Sequence, residues 1–205
     1  MSGLFIAFEG GEGSGKSTQT QIIRSWLEGK GHNVVLTRQP GGTDLGKQLR
    51  HILLDLSSKE VAPITEALLF AADRAEHMHR VIHPALAKGD VVICDRYVDS
   101  FIAYEKGGRQ LDAEEIERLS RWATDSLTPD LTILLDIPPQ SGLARRGDLD
   151  RMEMQPIEFH QRVRANFLEL AASNPNRYLV IDAQQSPQEI SAIIKERCVL
   201  LLMTR

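Results

Sequence analysis

Short runs of aliphatic and β-branched residues alternate along the chain with longer segments whose apolar positions recur at helical spacing. The short runs predict strands at Leu4–Phe8, Val34–Thr37, Val91–Asp95, Leu131–Asp136 and Tyr178–Asp182. The longer segments predict helices at Lys16–Leu27, Thr43–Leu54, Pro63–Ala87, Asp112–Ser126, Pro156–Ala172 and Pro187–Leu202. Pro84 is expected to kink or divide the third helix. Because the strands are continuously apolar, the pattern predicts an α/β fold, a five-stranded parallel sheet with helices on both faces.

Polar side chains follow each predicted strand and are expected to share one edge of this sheet. The carboxyl ends of parallel strands meet there, and ligands of open α/β sheets bind at that edge. The residues concerned are Glu9, Arg38, Asp95, Arg96, Asp136 and Asp182. The sequence therefore predicts that its chemistry is gathered at one rim.

Composition indicates an ordinary globular chain and excludes several classes of partner. The 205 residues, 42% of them hydrophobic and 25% charged, suffice for a single domain over residues 1–205. The net charge of −4 without a basic block argues against nucleic-acid binding. No leader or long apolar stretch is evident, so we expect a cytoplasmic protein without a membrane partner. Cys94 and Cys198 lie in apolar patterns and are expected to be buried, reduced thiols.

The segment Gly10–Thr18 has the pattern G-x-x-x-x-G-K-[ST] between the first predicted strand and helix, the signature of a P-loop NTPase fold. Glycines allow backbone N–H groups to surround phosphate, while Lys16 can reach the β- and γ-phosphates and Ser17 can ligate Mg²⁺. The alternative is a glycine-rich turn with a solvated lysine. The predicted ATP-binding loop residues are Gly10, Gly11, Glu12, Gly13, Ser14, Gly15, Lys16, Ser17 and Thr18.

The tripeptide Asp95-Arg96-Tyr97 closes the third predicted strand. A carboxylate at this place can orient Mg²⁺ through water, and an arginine beside it can hold phosphate with its planar fork of donors. Glu9, at the end of the first strand, is a further candidate metal ligand. The alternative is a strand-end ion pair between Asp95 and a neighbouring base.

More cations are available than a simple NTP hydrolase needs. Arg38 follows the second strand, and Arg145, Arg146 and Arg151 lie in a charged segment without apolar period, which predicts an arginine-rich lid at about residues 142–153. Phosphoryl transfer requires positive charge around the migrating group. This surplus indicates a second phosphate-bearing ligand, and hence a kinase with a phosphorylated acceptor.

Phe70 and Arg74 are one helical turn apart on one face of the third predicted helix, where a ring and a planar cation could hold a nucleobase. The alternative is a core phenylalanine beside an arginine that reaches solvent. His77, His79 and His83 do not share one helix face, so their spacing does not favour a metal site.

Together these motifs resemble the thymidylate kinase family, whose members phosphorylate dTMP to dTDP with ATP. The segments that carry the resemblance are Phe8–Gly10 with the glycine loop, Leu36–Thr43, Glu66–Arg74, Val91–Tyr97, Ser100 with Ala103 and Tyr104, Pro129–Thr132, Asp150–Glu153 and Phe159–Arg164. The resemblance is to the bacterial type and covers nearly the whole chain. It implies Mg²⁺ as cofactor, ATP as co-substrate and a homodimer.

The resemblance also implies roles for individual residues. Phe70 would stack on thymine, Arg74 would hydrogen-bond the base, Arg38 and Arg96 would hold the acceptor phosphate, Tyr104 would lie under the sugar, and Glu12 would touch the 3′-OH. Gly13 fills the loop position where other members carry an arginine. The lid arginines Arg145, Arg146 and Arg151 would then stabilise the transferred charge, with Arg151 the best match. Gln184 is a candidate for the adenine pocket.

Two positions depart from the family pattern. Phe101 replaces a side chain that usually meets the pyrimidine edge, and we expect it to turn away so that Ser100 substitutes. Gln39 stands where glutamate is frequent. Two other functions stay open, a P-loop kinase for another small nucleotide and an NTP-hydrolysing switch or motor. The absence of an N-K-x-D motif disfavours the switch.

Overall fold

The computed structural model describes residues 3–55, 61–105, 112–147 and 150–203. Its strands form one parallel sheet in the order β2-β3-β1-β4-β5. The strands are β1 (Leu4–Glu9), β2 (Val34–Arg38), β3 (Val91–Asp95), β4 (Leu131–Asp136) and β5 (Tyr178–Asp182). All five predicted strands are confirmed, and the fold is that of a P-loop NTPase.

Nine α-helices lie within the described ranges, and a π-helical turn at Met78–Ile82 joins the third to the fourth. The helices are α1 (Lys16–Gly29), α2 (Asp44–Leu54), α3 (Pro63–His77), α4 (His83–Ala87), α5 (Val98–Tyr104), α6 (Ala113–Ala123), α7 (Pro139–Leu143), α8 (Ile157–Ser173) and α9 (Pro187–Met203). The predicted helix Pro63–Ala87 is therefore divided into three consecutive segments: α3, the π-helical turn and α4. Pro84 is the second residue of α4, which follows the π-helical turn without a break.

Helices pack on both faces of the sheet, as predicted. Successive side chains of β1 point to opposite faces. One face packs against α1 and α9, through residues such as Ile23 and Ile194. The other face packs against the π-turn with α4, through Ile82, and against α5 and α8, through Phe167. Cys94 and Cys198 are buried free thiols in these layers, as expected.

Two short helices were not predicted, and both carry or support residues at the sheet edge. The seven residues of α5 follow β3 directly, and the five residues of α7 follow β4. Helices this short gain little from periodicity or propensity and depend on tertiary contacts. No helix in the described part of the chain is long and apolar enough to cross a membrane.

Candidate functional site

A cavity of about 740 Å³ runs along the carboxyl edge of the sheet. Its lining comes from the loop before α1, the ends of β2 and β3, helices α2, α3 and α5, the lid segment, and the loop after β5. The predicted rim is confirmed in part: Arg38, Asp95 and Arg96 line this cavity, whereas Asp136 pairs with Arg164 and Asp182 accepts from the backbone N–H of Gln184, outside the lining. The volume of the cavity lies within the usual range of small-molecule binding sites.

The glycine loop holds the ammonium group of Lys16 within its own backbone. The Nζ atom donates to the carbonyl of Gly10 at 3.0 Å, the carbonyl of Gly11 at 2.8 Å and the hydroxyl of Ser14 at 3.3 Å. Burial and the charge of Arg96 lower the pKa of Lys16 to about 8. The loop therefore presents a desolvated cation, which an anion would stabilise.

A close backbone approach explains why glycine occupies position 13. Gly13 has a φ of 64°, and a Cβ atom there would lie 1.9 Å from the carbonyl oxygen of Gly142. No side chain fits without displacing α7. The glycine loop therefore carries no arginine at this position, and any further cation must come from another segment.

Ser17 and Asp95 meet at the start of α1, as predicted. The Ser17 hydroxyl donates to Oδ2 of Asp95 at 3.2 Å, and both residues line the cavity. Two hard oxygen ligands at the phosphate loop fit Mg²⁺, which keeps several waters and binds through one or two carboxylates and substrate phosphates. Among the described residues there is no group of three or more acidic, histidine or cysteine side chains that could hold a metal ion.

Glu9, the further candidate metal ligand, is not brought to the cavity. It is fully buried and accepts hydrogen bonds from the backbone N–H groups of Tyr97 and Ser100 at 2.8 and 3.2 Å, and from the Ser100 hydroxyl at 2.5 Å. Burial, together with the charge of Asp99, raises the pKa of Glu9 to about 7. Oε1 accepts the backbone N–H groups at the start of α5 and Oε2 accepts the Ser100 hydroxyl, so Glu9 orients that helix.

Arg96 links the glycine loop to α5. Its Nη1 donates to the carbonyl of Gly10 at 3.1 Å and to the hydroxyl of Ser100 at 3.0 Å, while Nη2 donates to Oε1 of Glu12 at 2.8 Å. Its φ of 66° is rare for a residue with a side chain and turns the guanidinium into the cavity. Burial is the largest single influence and opposes its charge, but Glu12, Tyr104, Asp95 and Glu9 together outweigh burial and raise the pKa of Arg96.

Glu12 and Tyr104, the two predicted sugar contacts, touch each other. The Tyr104 hydroxyl donates to Oε1 of Glu12 at 2.5 Å, and the Arg96 guanidinium lies 5.3 Å from the Tyr104 ring centroid. Burial alone would raise the pKa of Glu12, but Arg96 and Lys16 lower it to about 2. The cavity lining thus includes a carboxylate that is ionised at neutral pH.

Helix α3 places Phe70 and Arg74 in the wall of the cavity, as predicted. Arg74 is 3% exposed, and within the described residues its Nε and Nη1 atoms have no hydrogen-bond acceptor. Phe101 differs from its prediction, because it does not turn away but lines the same wall beside them. Ser100 is not free to replace it, since its hydroxyl is held between Glu9 and Arg96.

Two cavity residues near Arg38 were not predicted. Arg38 lines the cavity at the end of β2, and Arg50 of α2 joins it there, donating from Nη1 to the carbonyl of Pro40 at 3.0 Å. Asp73 of α3 accepts from the backbone N–H of Gly41 at 2.9 Å, and burial raises its pKa to about 6. The signal for both was weak: Arg50 is one of several cations on α2, and Asp73 could be assigned only to an ion pair with Arg74.

His77 holds the end of β2 and the residue that follows it through hydrogen bonds, and not through a metal. Its Nε2 lies 2.6 Å from the hydroxyl of Thr37, and its Nδ1 lies 2.9 Å from Nε2 of Gln39. Burial lowers the pKa of His77 to about 4, so the ring is neutral at neutral pH. Gln39 therefore serves as a neutral partner of a neutral imidazole.

The lid arginines separate into two groups. Arg145 donates from Nη1 to the carbonyls of Gly13 at 3.3 Å and Ala183 at 3.1 Å, and Arg146 donates from Nε to Glu153 at 2.8 Å. Both line the cavity. Arg151 does not, and its guanidinium instead binds Glu66 and the carbonyl of Leu53. The residue that best matched the family pattern therefore ties the lid to α2 and α3.

The far end of the cavity is formed by the loop after β5. Ala183, Gln185 and Pro187 line it, whereas Gln184, the predicted adenine contact, does not. The backbone N–H of Gln184 donates to Oδ1 of Asp182 at 2.9 Å, which fixes the turn that brings its neighbours to the cavity. Gln184 therefore belongs to the loop at this end of the cavity without lining the cavity itself.

Comparison with known proteins gives one consistent result. A family model described as thymidylate kinase matches residues 8–194. The thymidylate kinase of Clavibacter michiganensis subsp. michiganensis is 50% identical over 206 residues, covering 98% of this chain and 97% of the relative. That of Bifidobacterium longum (strain DJO10A) is 52% identical over 199 residues, covering 95% and 97%. A crystal structure of thymidylate kinase from Ehrlichia chaffeensis superposes with a TM-score of 0.80 at 33% identity, covering 97% and 99%.

Proposed function

The chain belongs to the thymidylate kinase family, and we propose that it transfers the γ-phosphoryl group of ATP to dTMP, yielding dTDP and ADP. One observation carries the proposal: a single cavity joins a phosphate-binding glycine loop to a wall formed by Phe70 and Arg74. The first end suits a nucleoside triphosphate and the second suits a base with an exposed carbonyl.

The donor nucleotide would bind with its phosphates on the loop Gly10–Thr18. Backbone N–H groups at a helix N-terminus favour phosphate, and Lys16 would exchange its carbonyl acceptors for phosphate oxygens. The base of the donor nucleotide would lie at the end of the cavity formed by Ala183, Gln185 and Pro187. Thr18 also lines the cavity, beside Ser17.

Mg²⁺ would be held by the Ser17 hydroxyl and, directly or through water, by Asp95. The ion supplies charge neutralisation on the triphosphate and fixes the orientation of its terminal group. The protein's own part is to keep both oxygens together at the first turn of α1, which their mutual hydrogen bond accomplishes.

The acceptor would extend from Phe70 and Arg74 towards the glycine loop. Tyr104 and Glu12 would meet its sugar, with the ionised Glu12 accepting from the 3′-OH, while Ser100 holds Arg96 in place. Arg38 and Arg96, with Arg50, would hold its phosphate. In the reaction an oxygen of that phosphate bonds to the γ-phosphorus, and the bond to the β,γ-bridging oxygen breaks.

The reaction would proceed without a covalent enzyme intermediate. Positively charged groups would stabilise its transition state. Its charge spreads over the equatorial oxygens of the moving phosphoryl group. Lys16 and Arg96 reach that region from the sheet, and Arg145 and Arg146 reach it from the lid at residues 142–153. Closure of the lid would exclude water, so that the phosphoryl group passes to the acceptor and not to solvent.

The test is product formation from ATP and a panel of nucleoside monophosphates with wild type, Arg74→Ala and Arg96→Ala. We expect dTDP as the preferred product. Arg74→Ala should raise KM for dTMP more than it lowers kcat, and Arg96→Ala should lower kcat. An ATPase rate that is equally high without any acceptor would instead favour a hydrolytic switch, and a faster reaction with another nucleotide would favour a kinase for that acceptor.

We further propose a cytoplasmic homodimer that covers an apolar face of α2 and α3. Leu45 and Ile52 of α2 and Ile64 and Leu68 of α3 are large apolar side chains exposed to solvent on two helices that pack together. Exposed apolar patches of this kind mark association sites. Sedimentation equilibrium should give a dimer, and Leu68→Glu should shift it towards monomer.

A further inference from the structure

The guanidinium group of Arg74 lies over the face of the Phe101 ring. Its Cζ is 4.6 Å from the ring centroid, and the two residues are 3% and 4% exposed. A cation over an aromatic face is attracted by the ring quadrupole, and the attraction is strongest where water is excluded. Phe101 therefore fixes the plane and position of the group that faces the acceptor base.

Phe101 is itself held rigidly. Ala67 of α3 and Ile116 of α6 pack with it in one buried cluster, and its ring centroid lies 6.0 Å from that of Phe70 at an interplanar angle of 51°. Both rings line the cavity. The base pocket thus has two aromatic walls, neither of which offers a hydrogen-bond partner along the plane of the base.

The polar contact in this wall is consequently one-sided. Nε and Nη1 of Arg74 are buried donors without an acceptor among the described residues. These two atoms are closed off from solvent, but Arg74 lines the cavity and its guanidinium group carries donors and no acceptor, so a ligand that brings a carbonyl oxygen is favoured. A ligand that brings an amino group places donor against donor and is rejected.

We propose that Phe101 is a specificity-determining residue, which holds Arg74 as a fixed donor so that the pocket selects pyrimidines with a 4-carbonyl group over those with a 4-amino group. The proposal rests on the proposed function and deepens it. It assigns to Phe101 a part in base selection, in place of the expectation that Phe101 turns away.

The experiment compares wild type with Phe101→Leu, which keeps the apolar volume but removes the ring face. Calorimetric titration with dTMP and with dCMP, in the absence of ATP, measures binding without turnover, and kcat/KM for the same acceptors measures the reaction. We expect Phe101→Leu to weaken dTMP binding by about 3- to 30-fold, the range of a buried cation–aromatic contact. Its kcat should change by no more than about threefold, and its preference for dTMP over dCMP should fall.

Two further variants separate selection from general damage. Phe5→Leu alters an equally buried phenylalanine in β1 that does not line the cavity, and its dTMP-to-dCMP preference should equal that of wild type. Phe70→Leu should weaken the binding of dTMP and of dCMP by the same factor, because stacking on the ring does not depend on the substituent at position 4 of the base. Urea unfolding of each variant confirms that it is folded during the titrations.

An unchanged dTMP-to-dCMP preference in Phe101→Leu would overturn the proposal, and so would an equal loss for both acceptors. Failure of the proposed function is a different result. In that case wild type forms no dTDP, while the titrations with the two nucleotides still measure whether Phe101 sets the preference.

Discussion

Replacing Arg151 with methionine is expected to destabilise the protein far more than it slows the chemistry. The Arg151 side chain is 14% exposed, and its guanidinium binds the fully buried carboxylate of Glu66 as well as the carbonyl of Leu53. Methionine keeps the apolar stem but removes the Arg151 charge from beside the buried Glu66 carboxylate, a change that typically costs about 3–5 kcal/mol. With a slope of about 2–3 kcal/mol per molar urea, the unfolding midpoint should fall by about 1–2 M.

A double-mutant cycle with Glu66→Gln isolates the ion pair. Removing both charges should cost less than the sum of the two single changes, with a coupling free energy of about 2–3 kcal/mol. Arg24→Met is the control, because Arg24 pairs with Glu28 on the exposed surface of α1 and should contribute less than about 1 kcal/mol. Activity at saturating ATP and dTMP should stay within about tenfold of wild type.

The opposite result would refute the structural assignment. If Arg151→Met kept its unfolding midpoint and lost about 10³-fold in kcat, Arg151 would act on the moving phosphoryl group, as an arginine finger does. The cavity contacts of Arg145 and Arg146 would then be secondary. The pair of measurements therefore decides which lid arginine serves the chemistry.

Three other changes test the remaining parts of the site. Arg146→Ala should lower kcat by about 10²-fold or more while KM for dTMP changes little, as steady-state kinetics would show. Chelation of Mg²⁺ by EDTA should abolish dTDP formation without altering the far-ultraviolet circular dichroism. Glu9, with a pKa raised from 4.5 to about 7, contributes stability that is full below pH 4.5 and lost as the pH rises through 7. In wild type, this effect should lower the free energy of unfolding by about 3 kcal/mol between pH 4.5 and pH 8, as measured by urea unfolding at the two pH values. Glu9→Gln should remove that contribution.

The strands could be predicted because each is a continuous apolar run between turn residues, and β1, β3 and β4 are also buried on both faces of the sheet. Helix α5 could not be predicted, although it provides three residues of the cavity lining, Ser100, Phe101 and Tyr104. Its start is capped by Glu9, which lies 88 residues before Tyr97 in the chain. A helix of seven residues whose cap comes from a distant strand has no local signal.

The same distinction holds for the site. Lys16, Ser17 and Asp95 were predictable because their positions follow from a local turn and from two adjacent strand ends. Arg50 and the ring beneath Arg74 were not, because they depend on how α2, α3 and α5 dock against one another. Arg151 matched a sequence pattern, yet its contacts are decided by Glu66 on another helix.

The net charge of the chain is a poor guide to what its cavity binds. A chain with charge −4 would repel nucleotides if its charges were spread evenly, but a local potential depends on which charges share a cleft. Lys16 and Arg96 both donate to the carbonyl of Gly10, at 3.0 and 3.1 Å, and the ionised Glu12 keeps these two cations together. That carboxylate offsets part of their mutual repulsion before any phosphate arrives. Neutralising it with Glu12→Gln should therefore disturb the position of Arg96 as well as the contact to the sugar, so its effect should exceed that of losing one hydrogen bond.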